Sequence, residues 1–362
     1  MKARHLSILR QLLSQPTAPF REEAVVEAVA RWARQRGVTM GRDAAGNVLL
    51  EAVSGSRGSH PHWVFAAHMD HPGFVVRRRR GRVAWAEFRG SVARQYFPGS
   101  RVRLFGPKCE AVGRVVSARR VKDSPWLLCR LELAGAADVP AGAIGMWDLP
   151  ALQIRRQRIL SRACDDVVGS ASVLCALEEI LSRRLGARVT GLLTRAEEAA
   201  FIGCLAACRA GGIPRGAMIV AIEASRAQPV AGLGDGVVVR VGDKLRSYDP
   251  SLTAHVAAVA AALAKRDRHF RFTRQLMPGG TCEATAYAMF GYRATGLCLP
   301  LGHYHNQGPG GRIAAEQVHV NDFASLVRLL VAIAAERRTP AATDALLRRR
   351  FRELLRTRGR HL

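Results

Sequence analysis

Lysine is nearly missing from this 362-residue chain: only residues 2, 108, 122, 244 and 265 are lysine, against 50 arginines. Long apolar runs are missing as well. No stretch approaches the roughly 20 residues that a membrane span needs. The Leu-rich sequence after Met1 is broken by Arg10 and Gln11, too early for a secretory leader. The expectation is a soluble, cytoplasmic chain with no membrane partner. A paired C-x-x-C spacing is also absent. The eight cysteines (109, 129, 164, 175, 204, 208, 282, 298) are scattered, which suits free buried thiols in a reducing compartment. No nucleic-acid-binding module is recognisable. The net charge of +26 is therefore assigned to arginine bias and solvated surface, and nucleic acid is not expected as a partner.

Hydrophobic residues make up 48% of the chain, enough for a sizeable core and too many for general disorder. The pattern along the chain is alternating helix and strand, interrupted once. Residues 5–15 and a stretch from Thr17-Ala18-Pro19 to about Arg34 read as helices, the second with a cap-like start. Residues 47–53 and 63–68 read as strands, the latter almost continuously apolar, as at the centre of a parallel or mixed sheet. From 75 to 158 the texture changes to short β-type runs (83–88, 101–105, 111–117, 126–133) between Gly, Pro and charged turns. Alternation then resumes, with helices at 167–184, 199–210, 251–266, 281–290 and 315–338, and strands at 189–194, 217–223 and 294–301. This predicts an α/β/α domain with a mixed sheet, in two sequence pieces (1–74 and 159–340). A small all-β, barrel-like domain is inserted at 75–158, and a basic tail occupies 341–362.

In open α/β sheets, ligands collect at the carboxyl ends of strands. The predicted strand ends deliver His68-Met69-Asp70, Glu197-Glu198, Glu223 and His303-Tyr304-His305-Asn306, while Asp165-Asp166 opens a helix. Taken alone, each has an ordinary structural explanation: a helix cap, a solvated acid, an ion pair or a hydrogen-bonded loop histidine. Together they form an ordered series of carboxylates and imidazoles at the junctions of one domain. Carboxylates at the end of a core strand are costly without a cation. Nitrogen and oxygen donors with no thiolate suit zinc, cobalt or manganese in a catalytic setting.

The series resembles the dinuclear zinc aminopeptidases of the glutamyl aminopeptidase and tetrahedral aminopeptidase family, within the wider clan of co-catalytic zinc exopeptidases. The matching motifs are His68-Met69-Asp70-His71-Pro72-Gly73-Phe74, Asp165-Asp166-Val167-Val168-Gly169, Glu197-Glu198, Gly279-Gly280-Thr281 and, in part, His303-Tyr304-His305. The resemblance runs from residue 5 to about 338. It implies two divalent metals, one held by His68 and Glu223, the other by Glu198 and His305, with Asp165 bridging. It further implies that Asp70 orients His68, that Glu197 is the general base, and that Gly280 and Thr281 border the substrate. The implied activity is removal of N-terminal residues from short peptides, in a homo-oligomer that is often a large hollow assembly.

Three departures from the family pattern bear on the substrate. Glu223 stands where aspartate is usual, Cys282-Glu283 replaces an aspartate after Gly-Gly-Thr, and His71-Pro72 replaces an acidic and an apolar residue. They keep open an amidohydrolase that deacylates a small N-acylated metabolite. A non-catalytic binding protein on a peptidase fold is a further alternative.

Overall fold

The computed structural model describes residues 1–54, 61–107, 109–135 and 138–362. Its centre is an eight-stranded mixed sheet. The strand order is Thr39–Arg42, Val48–Ser54, Ala187–Thr194, His62–His68, Met218–Arg226, Arg293–Leu301, Val237–Gly242 and Phe272–Leu276. The three strands that carry the candidate chemistry lie together and run parallel, with Thr194 opposite His68 and Ala221 opposite Ala66. Their carboxyl ends therefore open at one edge, where a parallel sheet gathers its ligands.

The near-continuous apolar run of His62–His68 is explained by burial on both faces. Trp63, Phe65 and Ala67 face a core shared with helices Ala3–Leu13, Glu23–Arg36, Val167–Ser182, Pro250–Arg266 and Val320–Ala335. Val64 and Ala66 face a second core built with helices Ile202–Ala210 and Glu283–Met289. Side chains alternating across a strand thus make two cores from one sequence run, giving the expected three layers.

A closed six-stranded barrel lies between the sheet strands in sequence, in the order Gly73–Arg80, Val83–Arg89, Leu127–Leu133, Glu110–Arg120, Arg101–Phe105 and Ile144–Trp147. Strict in–out alternation along Val83–Arg89 feeds its interior. There Phe74, Phe88, Phe97 and Trp147 meet edge to face or tilted, with Phe74 and Trp147 centroids 4.9 Å apart. The first barrel strand begins at Gly73, directly after the His68–Asp70 segment. The barrel is thereby tied to one rim of the sheet opening.

Several sequence-predicted elements are corrected. The expected helix over 315–338 is a strand, Glu316–His319, followed by a helix, Val320–Ala335. The strand pairs with Arg158–Ser161, and His319 caps the helix by accepting from Asn321 N–H. The helix expected to start near Thr17 starts at Glu23, because Thr17 is buried and its hydroxyl donates to the Met69 carbonyl 2.9 Å away. The helix expected from residue 199 starts at Ile202, after a short 3-10 turn at Glu197–Ala199 flanked by left-handed Ala196, Ala200 and Phe201. Among the described residues, no helix is long and apolar enough to cross a membrane.

Candidate metal centre

The sheet opening collects every residue expected to hold metal. His68 ends its strand and is 1% exposed. Its Nδ1 lies 3.1 Å from the Asp70 carbonyl and 3.5 Å from Asp70 Oδ1, which leaves Nε2 facing the opening. Nε2 lies 3.3 Å from Asp165 Oδ1 and 3.5 Å from Glu223 Oε1. His305 repeats the arrangement from the opposite side. Its Nδ1 is 2.6 Å from the Ser91 carbonyl, and its Nε2 is 2.9 Å from Glu198 Oε1 and 3.6 Å from Asp165 Oδ2. The two oxygens of Asp165 thus face different imidazoles. A backbone contact on one ring nitrogen that aims the other is the usual way a metal-binding histidine is oriented.

Two triads of donor atoms result, His68 with Glu197 and Glu223, and Asp165 with Glu198 and His305, each within 4.8 Å. Glu197 Oε2 stands farther from His68 Nε2, at 3.9 Å, than the Asp165 and Glu223 oxygens do. His68 Nε2, Asp165 Oδ1 and Glu198 Oε1 are buried with no hydrogen-bond partner. Orphaned polar atoms in a core are costly, and here they converge. Divalent cations fit this donor set.

The acidity of the site agrees. Burial drives the Glu197 carboxyl well above the usual carboxylate range, with Glu223 and Glu198 adding to it against His68. Burial, with Asp165, pushes Glu223 up to about 8. Burial also acts against Asp165, but its contacts with His305 and His68 outweigh that and hold it well below the usual range. The protein alone supplies too little positive charge for all these acids.

The neighbouring residues explain the motifs. Asp70 accepts the N–H of Glu197 on one oxygen (2.9 Å) and that of Glu198 on the other (3.1 Å), so it sets the turn carrying both glutamates. Asp166 is buried with neither carboxylate oxygen bonded. A Cβ at Gly169 would lie 2.1 Å from its Oδ2, so the Asp-Asp-x-x-Gly spacing leaves room for that side chain. His71 bridges the loops, with Nδ1 2.5 Å from the Asp165 carbonyl and Nε2 3.0 Å from Asn306 Oδ1. His303 contacts the Ala315 carbonyl and Gln317, away from both triads, and Cys164 is buried outside them. Glu283 receives the Tyr287 hydroxyl, and Asp243 accepts from Cys282 N–H and the Thr285 hydroxyl.

Sequence reasoning missed three residues. Glu316, fully buried, accepts Cys164 N–H (2.8 Å) and Asp165 N–H (3.0 Å) on one oxygen and His305 N–H (2.8 Å) on the other. One carboxylate therefore joins the two loops that carry Asp165 and His305. Glu22, also fully buried, accepts Ala196 N–H (3.0 Å) and pairs with Arg195 (2.5 Å), just before Glu197. Arg240, 1% exposed, lies in the middle of an apolar strand and lines the pocket beside the metal centre. A charged residue inside a Val-rich run was the available signal.

That pocket, about 220 Å³, is bordered by Glu197, Glu198, Tyr304, Met277, Gly280 and Thr281. The expected substrate-bordering residues therefore lie beside the triads.

Known proteins agree with this architecture. The sequence profile of the M42 glutamyl aminopeptidase family matches residues 130–329, more than half of the chain. No match to a curated protein was found by sequence. Among solved structures, aminopeptidase APDkam598 from the archaeon Desulfurococcus kamchatkensis superposes with a TM-score of 0.75 at 22% identity, covering 94% of this chain and 96% of that one. A TET aminopeptidase from a marine-sediment thaumarchaeon gives 0.76 at 16% identity, covering 92% and 97%. The TET1 peptidase of Pyrococcus horikoshii, which can assemble into a tetrahedron or a large octahedral shell, gives 0.74 at 19%, covering 91% and 99%. The chain belongs to the M42 glutamyl aminopeptidase family and is a metal-dependent aminopeptidase.

Proposed function

We propose that the chain removes acidic N-terminal residues from short peptides, using two divalent cations, zinc being the best match to the donors. His68 and Glu223 would hold one, Glu198 and His305 the other, and Asp165 both. The convergence of buried His68 Nε2, Asp165 Oδ1 and Glu198 Oε1, none of which makes a well-aligned hydrogen bond, carries this reading. Bound there, the cations would acidify a water and polarise the scissile carbonyl.

The remaining work falls to the protein. Glu197 takes the proton from the attacking water and passes it to the departing amine nitrogen. Its neighbour Glu198 is tied to His305, and Asp70 fixes the backbone of both, so the two glutamates hold different positions. Tyr304, stacked on His305, and Gly280 with Thr281 border the peptide.

Arg240 supports the acidic preference. Its Nη1 donates to the Ser225 hydroxyl at 3.1 Å, its Nε is unpartnered, and among the described residues no carboxylate lies within ion-pair distance. A buried guanidinium without an anion is costly, and a glutamyl or aspartyl side chain entering the pocket would relieve that. Self-assembly into a homo-oligomer, and a hollow one, is proposed by likeness to the TET1 peptidase. The unpaired cysteines suit a reducing, cytoplasmic setting.

Hydrolysis of glutamyl- and leucyl-anilides by wild type, Glu197→Gln and Arg240→Met tests both parts. Glu197→Gln should lose about a thousandfold or more in kcat, at the upper part of the range for general-base catalysis, while retaining bound metal. Arg240→Met should lose the glutamyl substrate selectively. Full activity in metal-loaded Glu197→Gln would overturn the mechanism, and an unchanged glutamyl-to-leucyl ratio in Arg240→Met would overturn the specificity.

A further inference from the structure

The C-terminal helix, Pro340–Arg358, is attached to the body by its first turn alone. Thr339 caps it by accepting Ala342 N–H, and Pro340 is buried. Asp344 accepts the Ser251 hydroxyl at 2.6 Å, and Thr343 Oγ1 meets His255 Nδ1 at 2.7 Å. From Ala345 onward every helical residue is exposed. That exposed part is two-sided. At 100° per residue, Leu347, Phe351, Leu354 and Leu355 fall within a stripe about 100° wide. They are 49%, 59%, 36% and 65% exposed. Arg352, Arg356 and Arg349 occupy the opposite side together with Leu346. Arg348 and Arg350 border the stripe on its two flanks, and Arg358 closes its C-terminal end. Glu353 is the only acid after Asp344.

An occupant of this helix must cover the apolar stripe and supply negative charge on its flanks. A second copy of the helix supplies the first requirement and fails the second, because it would bring arginines against arginines. A nucleic acid supplies charge but leaves the stripe in water. An anionic lipid surface meets both, since the stripe enters the acyl boundary while guanidinium groups pair with headgroup phosphates, which arginine does bidentately. We propose that Pro340–Arg358 lies in the plane of anionic membranes and docks the peptidase on them. That no helix among the described residues is long and apolar enough to span a membrane does not conflict with this, because a surface-lying helix needs no long apolar run. The proposal is independent of the peptidase mechanism.

The test is flotation of the full chain with phosphatidylcholine vesicles, with and without phosphatidylglycerol, alongside peptide hydrolysis and analytical ultracentrifugation. Wild type should float with the anionic vesicles at least about tenfold more than with neutral ones, and release with salt. Phe351→Ser with Leu355→Ser should lower that binding more than about tenfold. Arg348→Gln with Arg352→Gln and Arg356→Gln should lower it about 100-fold, at the attraction expected per arginine. All variants should keep wild-type hydrolysis. The following vesicle and oligomer results would overturn the proposal. They are equal binding to neutral vesicles, no vesicle binding, full binding by the Phe351/Leu355 variant, and an oligomer of wild type that this variant abolishes. The last would give the stripe to a second copy. Stronger binding to an acidic protein or to RNA than to anionic vesicles would also overturn it.

Discussion

Two sets of buried carboxylates lie within one small region, and they behave in opposite ways. Glu22, Asp70, Asp243 and Glu316 form the outer set, with exposures from 0 to 4%. Each has two or more donors aimed at it, mostly backbone N–H groups of the loops that carry the site. Asp165, Glu197, Glu198 and Glu223 form the inner set. They are nearly as deeply placed, but they face one another and two imidazoles, and buried oxygens of Asp165 and Glu198 receive no backbone N–H and lie beside only an imidazole nitrogen. Burial alone does not distinguish structural acids from functional ones. Donors separate these two sets, because a carboxylate surrounded by N–H groups is already satisfied, whereas Asp166, buried and without a donor, adjoins the inner set without belonging to either triad.

The largest effect should come from taking away what satisfies the inner set. Exhaustive chelation is expected to abolish hydrolysis, and readdition of zinc, cobalt or manganese should restore it. It should also lower the melting temperature by roughly 5–10 °C, as expected for losing a ligand held at about 1,000 times its Kd. Calorimetry with and without chelator reads both. An unchanged melting temperature with retained activity would remove the distinction between the sets.

Much of the inner set was legible in the sequence, for a physical reason. Parallel strands deliver their last residues to one edge, so His68, Glu197-Glu198 and Glu223 could be placed together from apolar runs alone. The helix-like reading of Ala199–Ala210 mattered little, because the glutamates precede it. The outer set was hidden. Glu316 lies where an apolar-periodic stretch suggested a continuous helix, yet it sits in a strand whose partner, Arg158–Ser161, is about 150 residues away. Glu22 looks like a first-turn helix acid until the fold brings Ala196 and Arg195 to it. Satisfying a carboxylate with backbone N–H groups leaves no side-chain signature in the partners. Arg240 differs: a charge within Val237–Gly242 was visible, but only the structure shows that it borders the pocket.

Glu316→Gln should have the next largest effect. The amide turns one acceptor oxygen into a donor that faces N–H groups of Cys164 and Asp165 or of His305. Leaving one or two buried N–H groups unsatisfied costs about 2–4 kcal/mol. Because these N–H groups belong to both ligand loops, metal affinity should fall about 10–100-fold, as for other residues that orient metal ligands. Competition with a metallochromic chelator measures this, and thermal melting measures the stability loss. A stability loss with unaltered metal affinity would make Glu316 a structural residue alone.

Glu22→Gln should have the smallest effect of the three. Its carboxylate also accepts two N–H groups, from Phe20 and Ala196, but its third partner, Arg195, is a quarter exposed and can turn to water. The neutral amide keeps one acceptor and weakens the ion pair, which places the stability loss at about 1–2 kcal/mol. Ala196 immediately precedes Glu197-Glu198, so the displacement reaches the proposed base and one proposed ligand, while His68, Asp165, Glu223 and His305 stay in place on other loops. The expected outcome is a several-fold fall in kcat with KM and metal content unchanged. Steady-state kinetics and metal analysis on the same preparation separate these quantities. If Glu22→Gln lost metal as readily as Glu316→Gln, the outer carboxylates would act as one connected frame and could not be assigned to separate loops.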